Sequence, residues 1–168
     1  MSADGLAQVE SIAEGVASES DLTIQAVYTS KGRAALQTAE AVAKATGSKV
    51  VHWKQLSNLN QGLWQGQTID AIKSQFPKVY RRWQEHPETV CPPEGEMVSA
   101  ARERLAEVLA KIQKRTRDGV IAVVVAEPMA RILRALLKQE ELKDLWNASA
   151  NGEDWELIEV PAGLPANA

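Results

Sequence analysis

The spacing of apolar residues changes several times along the chain, and each change marks an element. Leu6, Val9, Ile12, Ala13 and Val16 fall on one helical face, which predicts an amphipathic helix over 4–18 with Asp4 as its N-cap. The run 22–29 (LTIQAVYT) lacks that spacing and predicts a buried strand. Residues 34–45 are rich in strong helix formers and end at Gly47, a helix with its stop signal. The stretch 49–54 (KVVHWK) predicts a second strand, and 57–66, with Gly62 and Gly66, a loop.

Beyond the loop, 67–85 predicts a helix interrupted at Pro77, and the proline-rich stretch 86–95 predicts another loop. Val98, Ala101, Leu105, Val108, Leu109 and Ile112 mark a long helix over 96–117. Residues 120–126 (VIAVVVA) form a continuous apolar run, the pattern of a parallel strand covered on both faces. Helices are predicted at 128–138 and 140–146 and a last strand at 155–160 (WELIEV), before a loosely ordered tail over 161–168. Alternating strands and helices argue for an α/β fold: a three-layer α/β/α sandwich with a mostly parallel sheet. No repeat or linker divides the 168 residues, which suit a single domain.

Composition narrows the function classes. A net charge of −3 gives no general attraction to nucleic acid or to an anionic membrane. The basic run 111–117 (KIQKRTR) closes a predicted helix, where cations complement the dipole and face solvent. One cysteine, Cys91, precludes an internal disulfide and a cysteine metal cluster and suits the reducing cytoplasm. No apolar run approaches the ~20 residues of a membrane span, and MSADGLAQVE lacks the pattern of a signal peptide.

Five short segments then occur in a telling order: MSADGLAQVESIAE, YTSKGRAALQTAEAVA, LSNLNQGLWQGQTIDAI, PPEGEMVSAARERL and VIAVVVAEPMARIL. They resemble, in turn, L-[ST]-x-x-G-x-x-Q-A, Y-[ST]-S-P-x-x-R-A-x-Q-T-A, L-x-E-x-x-x-G-x-W-E-G, P-x-G-E-S-x(6)-R and V-V-S-H-G-x-x-x-R of the histidine phosphatase, or phosphoglycerate mutase-like, superfamily. The resemblance runs from the first residue to about 160. It implies the phosphoglycerate mutase-type fold and phosphoryl-transfer chemistry. A histidine attacks phosphorus, a second histidine and two arginines neutralise the phosphoryl oxygens, and a carboxylic acid protonates the leaving oxygen.

Carried over residue by residue, the chemistry fails. The nucleophile's R-H-G motif belongs to a strand ahead of the helix at 4–18. Met1 already corresponds to the loop after it, so the N-terminal strand is expected to be missing. The second arginine falls at Ala34 when Gln37, Thr38 and Ala39 are in register. Arg33 stands one position early, and Lys31 replaces the turn proline. The acid falls at Asn58 and the second histidine at Ala126, followed by Glu127 in place of glycine. Tyr28, Ser30, Gly62, Trp64, Gly66, Gly95, Glu96, Arg104 and Arg131 remain as scaffold. The resemblance therefore implies a vestigial pocket of Ser30, Lys31, Arg33, Asn58, Ala126 and Glu127, with no catalytic residue, cofactor or metal.

Other residues offer little replacement. His52 lies in a predicted strand, and His86 lies in the proline-rich loop without a second histidine at metal-ligand spacing. A cysteine-phosphatase loop, C-x(5)-R, would place its arginine at Met97. Glu94 and Glu96 read as first-turn charge for the helix at 96–117, and the five tryptophans, without common spacing, read as packing residues. Glu127 beside Pro128, at the first helical position, is expected to occupy or repel the old phosphate site or to cap the helix.

The expected protein is thus a pseudophosphatase with a binding or assembly role, its partner an unknown protein or a second copy. The alternatives are a weak phosphomonoesterase using Arg33, Lys31 and His86, and a product truncated from a longer phosphatase. With the R-H-G strand missing, the apolar strand 120–126 needs a new neighbour. The expected sheet order is 49–54, 22–29, 120–126, 155–160, with a dimer as the other way to cover the gap.

Overall fold

The computed structural model describes residues 2–19, 21–116, 119–142, 145 and 154–160. Its sheet is parallel, with strand β1 (Ile24–Thr29) in the middle, β2 (Lys49–His52) on one side and β3 (Val120–Val124) on the other. Ala26 to Thr29 pair in step with Lys49 to His52, and Val27 to Thr29 with Ala122 to Val124. Between Ile24 and Val27 the register to β3 shifts. The shift adds one residue to β1, so Ile24 and Val27 serve the same core despite their odd spacing.

That core lies between the sheet and two helices, α1 (Ala3–Ser18) and α2 (Arg33–Thr46). Ala13 and Val16 of α1 and Ala39, Val42 and Ala43 of α2 meet Ile24 and Val27, with Val50, Ala122 and Val124 at the margin. Ala39 is fully buried, and a small residue there suits close approach of α2 to the strands. Gly47 ends α2 in the left-handed conformation, its N–H bonded to the Ala43 carbonyl. On the other face, Arg115 at the end of α5 (Val98–Arg115) lies over the Trp53 ring at 5.2 Å, and Trp53 meets Tyr28 edge-on at 5.8 Å. The expected layers of an α/β fold are therefore present around a small sheet.

Several local expectations need correction. Ser2, rather than Asp4, caps α1, accepting from the Gly5 N–H at 3.2 Å. The long helix spans 98–115 instead of 96–117. Residues 140–142 are not helical, and most of 143–146 lies outside the described residues, as does 161–168. Residues 155–160 form no strand or helix, and among the described residues the sheet order is β2–β1–β3. Trp155 instead lies against Gly15 of α1, and Asp154 accepts a 2.6 Å hydrogen bond from Gln8. A large aromatic with an adjacent carboxylate found a helix surface where the alternating pattern WELIEV suggested a sheet.

The chain divides into two compact units. The first, just described, comprises 1–58, 108–126 and 153–159. The second comprises 59–107, 127–152 and 160–168 and contains α3 (Ile69–Gln75), α4 (Pro77–Glu85), the first half of α5 and α6 (Met129–Lys138). Trp64 stacks obliquely between Trp83 and Phe76, at 5.2 and 6.2 Å, and both indoles are buried.

A tight clasp joins two loops of this second unit. The Glu96 N–H donates to the Asn60 carbonyl at 2.8 Å and the Leu63 N–H to the Pro93 carbonyl at 3.0 Å. The Glu96 carboxylate takes a forked pair of bonds from Arg104, 2.7 Å from Nε and 2.9 Å from Nη2. Glu96 is thus tied to a guanidinium two turns along α5, a more specific role than first-turn charge. Gly62 sits in the clasp at φ +52, where a Cβ would collide with the Pro93 carbonyl oxygen and the Gly95 nitrogen.

Two expectations follow for stability. Gly62→Ala should cost more than about 2 kcal/mol, because strain and backbone overlap add. Gly47→Ala, at φ +67 with open space around it, should cost about 1 kcal/mol. Urea unfolding of the two variants checks the contrast, and equal losses would show that the clasp is not tight. Arg104→Met should cost about 1–2 kcal/mol and unpair Glu96, again read by urea midpoint.

Candidate functional site

Ser30 and Ala126, expected in the vestigial pocket, stand just past the carboxyl ends of β1 and β3. Thr29, the last residue of β1, is fully buried and donates its hydroxyl to the Val124 carbonyl at 2.8 Å. Its own carbonyl accepts the Trp53 N–H at 2.8 Å. Ser30 follows, 3% exposed, and its Oγ accepts the Gly32 N–H at 3.2 Å. This local bond turns the chain from β1 into α2, with Gly32 as the N-cap. Lys31, Arg33 and Ala34 are exposed. Arg33 is the first residue of α2 and Ala34 the second, so Arg33 is displaced about 100° around the helix from the position where the resemblance implies a guanidinium.

The neighbouring strand ends the same way. Because Thr29 is level with Val124, Ser30 and Ala126 leave the sheet at the same end of adjacent strands. Ala126 is half-buried and presents a methyl group, which neither donates nor accepts a proton. Asn58 is exposed and follows a short 3₁₀ turn, Lys54–Leu56, that is anchored by Leu56 at 1% exposure. An amide there cannot act as a proton donor of carboxylic strength.

Glu127 belongs to the second unit and is joined by a cis peptide to Pro128. Pro128 is the N-cap of α6 and Met129 its first residue, one place later than the sequence pattern implies. The Glu127 carboxylate pairs with Arg131 at 3.4 Å across one helical turn. With that carboxylate 60% exposed, the bridge is a weak surface pair.

The remaining nucleophiles lie on separate elements. His52 closes β2 level with Thr29, on the outer strand away from β3, and is exposed. His86 caps the end of α4 in the second unit and is exposed. Cys91 is an exposed free thiol, with Sγ 3.7 Å from the Gly95 carbonyl. Among the described residues, no group of His, Cys, Asp and Glu could hold a metal ion.

One feature escaped the sequence reading. A shallow hollow of about 260 Å³ is lined by Gln25, Ala26, Tyr28, Lys49, Val51, Arg115 and Thr116. It lies on the sheet face opposite the α1–α2 core, since Ala26 and Tyr28 alternate with Val27. The basic end of KIQKRTR was its only trace in the sequence, and a helix end rich in cations usually signifies no more than a favourable dipole interaction.

Comparison with known proteins places this geometry. Residues 1–163 match the Histidine phosphatase superfamily (branch 1). Phosphoserine phosphatase 1 of Hydrogenobacter thermophilus is 22% identical over 137 residues, covering 82% of this chain and 65% of its own length, just under two thirds. The solved structure of a mycobacterial glucosyl-3-phosphoglycerate phosphatase with VO3 superposes with a TM-score of 0.71 at 22% identity, over 81% of this chain and 67% of that one. A phosphoglycerate mutase from Bacillus anthracis gives 0.72 at 20% identity, over 84% and 70%. At these identities the likeness of the structures is one of fold, and it agrees with the small parallel sheet and its flanking helices. The family match, by contrast, covers nearly the whole chain: it belongs to the histidine phosphatase superfamily.

Proposed function

We propose that this chain is a non-catalytic histidine phosphatase-fold protein that serves in binding or assembly. The observation that carries the reading is the carboxyl end of the sheet, where Ala126 lies two residues past Val124, the partner of Thr29. A methyl group stands where the superfamily's chemistry needs an imidazole. Asn58 and Ala34 extend the same pattern to the acid and the arginine. These roles act as a unit, so one surviving group restores little rate. The argument uses internal positions, and Asn58 and Ala126 remain unfavourable whatever precedes Met1.

The surrounding groups support it. Arg33 and Lys31 are exposed cations on the turn, and His86 lies in a different unit from both. Glu127 brings negative charge to the approach to α6, where free N–H groups would otherwise favour an anion. A single thiol suits a reducing compartment, and a cytoplasmic location is part of the proposal. No helix among the described residues is long and apolar enough to cross a membrane.

Phosphomonoesters are the substrates to test, because the relatives' names point to them. Purified chain is expected to give no turnover of p-nitrophenyl phosphate or 3-phosphoglycerate above buffer. Turnover that disappears in Arg33→Ala, Lys31→Ala or His86→Ala would overturn the reading in favour of a rearranged phosphomonoesterase. Activity unchanged in all three variants would be traced with Ser30→Ala and His52→Ala, and loss in either has the same consequence.

Orthophosphate should also fail to bind. Amide resonances of Ser30, Ala126 and Met129 are expected to stay unshifted in millimolar phosphate, and Glu127→Gln should increase any response by removing the local negative charge. Saturable shifts of those amides in the unmodified chain would show that Glu127 leaves the old phosphate site open.

A further inference from the structure

The sheet face opposite the α1–α2 core has a chemistry of its own. Along β2, Val50 turns to that core, so Lys49 and Val51 alternate onto the other face. Ala26 stands level with Lys49 and Tyr28 with Val51. Ala26, Tyr28 and Val51 form the floor of the hollow of about 260 Å³, and Lys49 stands at its edge. The C-terminal end of α5 adds Arg115 and, one residue on, Thr116. All of these residues belong to the first unit. The hollow lies toward the amino ends of the strands, since Lys49 opens β2 and Gln25, also in its lining, is the second residue of β1. Ser30 and Ala126 lie past the opposite ends of β1 and β3.

We infer that this hollow binds a small, flat organic anion of the aromatic carboxylate class, its charge between Lys49 and Arg115 and its ring on the floor. This gives the binding role proposed above a definite site and a ligand chemistry.

Three features select this ligand. The first is charge. Of the described residues that line the hollow, the two charged ones, Lys49 and Arg115, are both cations, in a chain of net charge −3. The attraction for an anion is therefore local to this face. The second is preorganisation. The Arg115 guanidinium lies 5.2 Å from the centre of the Trp53 ring, and Trp53 in turn meets Tyr28 edge-on. A guanidinium already placed by an aromatic ring loses less freedom when a ligand arrives. Its planar fork matches the two oxygens of a carboxylate. The third is shape. Two strands in register present a level surface, and Ala26 and Tyr28 are buried, so the floor is firm. The hollow is smaller than the roughly 300 Å³ at the lower end of pockets for drug-sized ligands, which favours a ligand of one or two rings. Gln25 and Thr116 add neutral polar groups that orient such a ligand without opposing its charge.

The probe is 2-naphthoate, titrated into the isotope-labelled full chain and followed by amide resonances. Saturable shifts are expected at Ala26, Val51 and Thr116, with half-saturation on the order of 1 mM for a ligand of this size. Arg115→Gln and Lys49→Gln should each weaken binding about threefold or more. Lys44→Gln removes a cation from the α2 side of the sheet and should leave binding unchanged. The same spectra show that each variant is folded. The uncharged 2-naphthol at equal concentration should give much smaller shifts. Absence of saturable shifts at these three amides overturns the inference. So does binding that survives both Arg115→Gln and Lys49→Gln, or that 2-naphthol matches. These amides differ from those of Ser30, Ala126 and Met129 that report on phosphate, and none of the outcomes depends on turnover, so the two proposals fail separately.

Discussion

Thr29 ties the sheet together at the end that matters. Its hydroxyl donates to β3 through the Val124 carbonyl, and its carbonyl accepts from Trp53 just beyond β2. The side chain is fully buried, so either bond left unmade would strand a polar group away from water. The positions of Ser30, Ala126 and the turn into α2 all follow from this junction. A parallel sheet of three short strands has few backbone bonds to hold its register, and a buried side-chain bond across two strands fixes the register of both termini at once. The geometry of the pocket is thereby set before any residue of the pocket is chosen.

On the proposed non-catalytic reading, that separation lets the scaffold persist without the chemistry. The residues that match the superfamily shape the backbone or pack: Gly62 and Gly95 permit the clasp, Glu96 and Arg104 lock it, and Trp64 fills the space below it. The residues that differ stand on exposed or half-exposed termini, where Ala34, Asn58 and Ala126 disturb no packing. An active pocket of this superfamily must hold several cationic and basic groups within reach of one phosphoryl group. Without bound anion such groups repel, and a methyl or an amide removes that repulsion. A non-catalytic pocket, as proposed, is therefore compatible with the fold.

The sequence made the elements of the first unit legible because they rest on periodicity. α1, α2, β1 and β3 each have a buried face or a continuous apolar run, and the three observed strands take the expected order. Cap choice was not legible, since Ser2 and Asp4 are both good N-caps and only the geometry decides between them. The segment 155–160 misled because alternation along WELIEV describes a strand equally well whether a sheet edge or a helix surface receives it. Trp155 answers that ambiguity through Gly15, whose missing side chain leaves room for the indole. The clasp was readable only as motif residues. That Glu96 and Arg104 join to each other requires the loop geometry that brings Asn60 to Glu96, which no local pattern contains. The roles given to Ala34, Asn58 and Ala126 rest on the motif register alone, which assigns a residue to a role without any coordinates.

The expectation that the sheet would close on itself failed for an instructive reason. It treated the open edge of 120–126 as a deficit that the same chain must make good. An edge is unfavourable only while it faces water, and closure by a second molecule satisfies the same N–H and C=O groups. Intramolecular closure is favoured when a strand is available at low entropic cost. Here the residues nearest in sequence to that role are already held by Gly15 and Gln8, so moving them to β3 would expose Trp155 and break the Gln8–Asp154 bond.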